Sequence, residues 1–170
     1  MTTKDLHNTL SPSEEAARYL QNAKEILREK AGKKDGLYAD VKYVKMAAGT
    51  AYSAALLILD EYLKQKEGDK FTKPKSIEDY TNRVRKYDKK LLRLLVNVYD
   101  ELHIIGYYHG TRSVDTIQAG LNNVTQMLTY IKKRFLYKYR DKPWVYTEPK
   151  HNFHFNSHYF CHYSTCLILC

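Results

Sequence analysis

The chain has 170 residues, 44% hydrophobic and 28% charged, which suits one globular domain with enough mass to bury a core. Its formal charge is +9. Residues 141–170 set Asp141 and Glu148 against Lys142 and Lys150, so the whole excess falls on residues 1–140 and favours anionic partners over cationic ones. In the folded part the uncharged run Met46 to Leu59 is too short for a membrane span. Lys4 and Asp5 open a polar segment rather than a secretory signal, so a cytoplasmic, non-membrane protein is expected.

The first helix is predicted to start at Ser11, with Pro12 in its first position and Glu14 completing a capping box. Ala16, Tyr19/Leu20, Ala23 and Ile26/Leu27 follow at helical spacing, and Gly32 and Gly36 mark a loop. The second helix should start at Asp40. Its stripe runs Val41, Val44, Ala48, Ala51, Ala55, Ile58/Leu59 and Tyr62. Its centre is apolar or small nearly all round, as expected of the most buried helix in a bundle. Lys64 to Lys75, with Gly68 and Pro74, reads as a loop.

A third helix is predicted after Ser76, with the stripe Ile77, Tyr80, Val84, Tyr87, Leu91, Leu94, Val98, Leu102 and Ile105 ending at Gly106. The fourth is capped by Thr111 or Ser113 and carries Val114, Ile117, Leu121, Val124, Leu128, Ile131 and Phe135. The expected fold is therefore all-α: an antiparallel up-down four-helix bundle with no competing strand pattern. Residues 1–10 are expected to be a flexible N-terminus, 11–140 the bundle, and 141–170 an irregular, disordered or non-native tail.

The turn between the third and fourth helices concentrates chemistry. Tyr107 and Tyr108 offer stacking faces, and His109 offers acid–base capacity. Thr111 and Arg112 stand where the helix start favours an anion. The plain alternative is a tight inter-helix turn whose tyrosines pack on the bundle end. Tyr52 joins the candidates because a hydroxyl on a buried helix needs a partner or a pocket. In the tail, His154, His158 and His162 are spaced by four near Cys161 and Cys166, but no usual metal-ligand spacing appears and no metal or other cofactor is expected. Basic runs at Arg83 to Arg93 and Lys132 to Arg140 read as solvated faces or as a strip that tracks phosphates.

The run Tyr43-Val44-Lys45-Met46-Ala47-Ala48-Gly49-Thr50-Ala51-Tyr52-Ser53-Ala54-Ala55-Leu56, with Tyr108-His109-Gly110-Thr111-Arg112, resembles a family of short bacterial helical proteins known only as a domain of unknown function. In topology these resemble HEPN bundles, the helical domains of many toxins and nucleotidyltransferase partners. The resemblance covers roughly residues 12–138. It implies a bundle that often dimerises, with a site at the start of its last helix. Ribonuclease members carry an arginine shortly before a histidine. Here the nearest arginine before His109 is Arg93, and Arg112 follows the histidine instead.

No complete catalytic signature is present. Two functions follow as expectations. One is a non-catalytic HEPN-like interaction or dimerisation module, a homodimer that also engages a protein partner. The other is an RNA- or nucleotide-binding protein using the turn between the third and fourth helices.

Overall fold

The computed structural model describes residues 10–140, and side chains as far as Arg134. Local chemistry starts the first helix, α1 (Pro12–Glu29), where the sequence places it. The Ser11 hydroxyl accepts from the Glu14 amide at 3.3 Å, and the Glu14 carboxylate accepts from the Ser11 amide at 2.8 Å. Ala16, Leu20, Ala23 and Leu27 form its buried stripe.

The expected loop after α1 holds a small antiparallel hairpin, β1 (Lys33–Lys34) with β2 (Leu37–Tyr38). Its turn is Asp35-Gly36, both with positive φ (50° and 73°), the pair that a two-residue hairpin turn favours. This departs from the strand-free expectation. The hairpin is also tied to the residues just before the last helix: the Tyr38 amide donates to the Arg112 carbonyl at 2.8 Å, and Leu37 bridges Ser113.

Asp40 caps α2 (Val41–Glu67) through the Lys42 amide at 2.9 Å. Ten residues of α2 are buried, including Val44, Ala48, Ala51, Ala55, Ile58, Leu59 and Tyr62, so the helix runs through the core. It packs on α1 and on the segments after Tyr99 and Val114.

The predicted third helix is divided. It forms α3 (Ile77–Tyr87), α4 (Lys89–Val98) and a widened segment, Tyr99–Tyr108, with π-type geometry. Asp88 causes the first break. Its backbone is extended, and its carboxylate accepts from the Lys90 and Leu91 amides at 3.0 and 2.9 Å, which starts a new helix. As a result Tyr87, expected on the core stripe, is 40% exposed. At the far end of the π segment the His109 amide donates to the Ile104 carbonyl, five residues back. Gly106 is required there by packing: an added Cβ would lie 2.8 Å from the Ala48 Cβ and 3.1 Å from the Glu101 carbonyl.

Ser113 caps α5 (Val114–Arg140) by accepting from the Thr116 amide at 3.3 Å. Ile117, Leu121, Val124, Met127 and Ile131 are buried along it. Phe135 and the residues of the tail lie outside the described side chains. Among the described residues the chain is thus mostly helical, with five α-helices, one short 3-10 turn (Gly68–Lys70), one π segment and one two-strand hairpin. No described helix is long and apolar enough to cross a membrane.

Candidate functional site

The turn after the π segment places its residues in two separate environments. Gly110 (φ 71°) reverses the chain so tightly that an added Cβ would meet Lys45 and Val41 of α2. Tyr108 projects at 70% exposure, and its ring meets that of His109 edge-on at 5.1 Å. The Lys45 ammonium donates to the Tyr108 carbonyl at 3.1 Å. Tyr108, His109 and Lys45 therefore share one accessible corner.

Arg112, an exposed residue, turns one guanidinium nitrogen to structural work. Its Nε donates to the Tyr38 carbonyl at 2.7 Å and completes the clasp between hairpin and α5. The Thr111 hydroxyl accepts from the Ser113 amide at 3.2 Å, Ser113 caps Thr116, and the Val114 amide donates to the Gly36 carbonyl at 3.3 Å. Asp115 adds a negative charge to the same first turn. The helix start that the sequence offers to an anion is thus largely occupied by the protein's own acceptors.

Tyr52 and Tyr107 belong to a second environment, which the sequence reading did not assemble. Tyr99, His103 and Tyr107, spaced by four along the π segment, form a ladder of rings: Tyr99 to His103 at 5.2 Å and His103 to Tyr107 at 6.0 Å, both stacked. Tyr52 of α2 leans on His103 at 4.7 Å. Tyr107 lies over Gly49, where an added Cβ would come within 3.2 Å of its ring. Burial pushes the Tyr52 phenol up to about 12, with smaller contributions from Tyr99 and Glu78. In the sequence Tyr99, His103 and Tyr107 form an i, i+4, i+8 aromatic series one position away from the apolar stripe of Val98 and Leu102.

This ladder borders the outer face of α2, where no charge occurs from Met46 to Leu59. Met46 is 48% exposed and Tyr107 49%, and Ser53 is also exposed. Together these make a surface of small, apolar and aromatic groups, with Glu78 near enough to act on Tyr52.

The expected basic strip is partly consumed by internal pairing. Arg83 is held by Glu67 and Asp79, donates to the Thr72 carbonyl at 2.7 Å, and so fastens the loop after α2. Arg134 pairs with the buried Asp88 at 2.5 Å, and Lys90 lies over the Tyr130 ring at 4.8 Å. Among the described residues no cluster of three metal-ligating side chains occurs. The tail histidines and cysteines lie outside them.

Comparison with known proteins places this geometry in a family context. Residues 11–133 match the model of a family described as a domain of unknown function (DUF5618). A solved structure of a protein of unknown function from Dyadobacter fermentans is 38% identical. It superimposes with a TM-score of 0.64, covering 73% of this chain and 95% of that one. No curated protein matches.

Proposed function

We propose that this chain, which belongs to the DUF5618 family, is a non-catalytic helical interaction module that pairs with a second copy of itself. The observation that carries this reading is the uncharged face of α2 with the aromatic ladder beside it. A twofold contact sets the same patch against itself. On a chain of charge +9, the uncharged stretch of α2 is where two copies meet with least repulsion, and exposed aromatic rings supply buried area at low entropy cost. Taking α3, α4 and the π segment as one interrupted helix gives four helical runs, and we read them as an up-down, HEPN-like bundle.

Sedimentation velocity tests the reading. The wild-type chain should be dimeric at micromolar concentration. Met46→Lys/Ser53→Lys should be monomeric with an unchanged circular dichroism spectrum, because each added charge faces its own copy. A monomeric wild type, or a dimer indifferent to the double substitution, overturns it. The second reading, RNA or a nucleotide held at the turn, draws on Tyr108, His109 and Lys45 at their shared corner. It requires RNA affinity that Tyr108→Ala/His109→Ala abolishes.

A further inference from the structure

The hairpin held by the Arg112 clasp also walls a concavity. A pocket of about 560 Å³ opens between α1, the hairpin and α5, a size typical of small-ligand sites. Its apolar floor is Leu27, Leu121 and the buried Tyr38. Its rim carries three cations, Lys24, Arg28 and Lys33, and no carboxylate lines it. Gln118 of α5 adds an amide whose Nε2 donates to the Asn122 Oδ1 at 3.2 Å and whose oxygen and second N–H are left for a ligand.

The position of Lys33 is the informative detail. It is paired directly with Tyr38 across the hairpin, and paired residues share one face of a sheet. Because Tyr38 points into the protein, Lys33 is brought to the pocket side, with its ammonium 5.5 Å from the Tyr38 ring centre. Lys24 and Arg28 are one turn apart on α1 and flank Leu27. Arg28 does have a neighbour, Glu29 at 2.9 Å, but both side chains are more than half exposed and such a pair is weak. Glu25 also acts on Arg28 from the same helix. The rim therefore keeps a net positive charge above an apolar floor. The walls are fixed before any ligand arrives, since the hairpin is bound to α5 through Tyr38, Arg112 and the Leu37–Ser113 bridge.

We propose that this pocket binds a phosphate monoester with a flat organic body, a nucleoside monophosphate being the simplest form. The phosphate dianion lies among Lys24, Arg28 and Lys33, the body rests on Leu27, Leu121 and Tyr38, and Gln118 pairs with a polar edge of the body. Neither half suffices alone: exposed cations hold free phosphate weakly in water, and an uncharged nucleoside forgoes the attraction of Lys24, Arg28 and Lys33.

The test is a nuclear magnetic resonance titration of the isotopically labelled full chain with adenosine monophosphate, adenosine and inorganic phosphate in parallel. The monophosphate should shift Leu27, Lys33, Tyr38 and Gln118 saturably. Adenosine and phosphate should each bind at least about tenfold more weakly. Lys24→Gln/Lys33→Gln, both on accessible side chains, should retain the spectrum of the folded chain and lose about 10- to 100-fold in affinity. No saturable binding of the monophosphate overturns the proposal. So do equal binding by phosphate alone, affinity unchanged in the variant, and shifts centred on Tyr108 and His109 instead of the pocket.

Discussion

Glu61 lies on α2 with one carboxylate oxygen, Oε2, buried and without a partner among the described residues. Burial raises its pKa, so the fold disfavours the ionised form that the unfolded chain carries freely at neutral pH. The sign follows: the stability this group contributes is complete at low pH and is lost as pH rises through its raised folded value. Glu61→Gln should therefore stabilise the protein at pH 7, and the gain should vanish below the ordinary carboxylate range. Urea unfolding at both pH values checks this, and an equal effect at each would show that the charge is not the cause. At this scale the sequence was legible where chemistry is local. The caps at Ser11, Asp40 and Ser113 follow from residue types a few positions apart. The role of Arg112 was not legible, because its partner Tyr38 is 74 positions away. Nor was the tie of Tyr52 to His103, which depends on how α2 meets the π segment.

Among the elements, the divided third helix shows a polar residue overriding a hydrophobic stripe. Asp88 ends α3 and starts α4, and its carboxylate also accepts from the Tyr130 hydroxyl at 2.9 Å and from Arg134. Asp88→Ala should cost about 2–4 kcal/mol, combining a lost cap with stranded donors. Asp88→Asn keeps the capping oxygen, loses the ion pair with the half-exposed Arg134, and should cost about 1 kcal/mol. Denaturant midpoints read both, and equal losses would mean that the ion pair rather than the cap sets the break. The π segment makes a second prediction. Gly106→Ala drives a methyl into Ala48, Ile117 and the Glu101 backbone, so it should cost about 1–3 kcal/mol in thermal unfolding. The stripes of α1, α2 and α5 were legible because one continuous buried face repeats at helical spacing. The α3–α4 break was not, since Tyr87 and Leu91 keep that spacing across it. The hairpin was signalled by Asp35-Gly36, but strands of two residues leave no alternation to read.

For the whole molecule, the two proposed interactions respond to salt in opposite directions. Two copies of charge +9 repel at long range, while the face of Met46, Ser53 and Tyr107 attracts through apolar burial that salt does not weaken. Raising salt from about 0.05 M to about 0.5 M shortens the screening length severalfold, so it should remove the repulsion and tighten the dimer. Binding of an organic phosphate to Lys24, Arg28 and Lys33 is attraction between opposite charges and should weaken over the same range. Sedimentation equilibrium and ligand titration in the same two buffers separate the cases. A dimer that dissociates as salt rises would place ion pairs, not the uncharged face of α2, at the contact. The excess positive charge would then act as a partner-binding surface, not as the repulsion that an uncharged face evades.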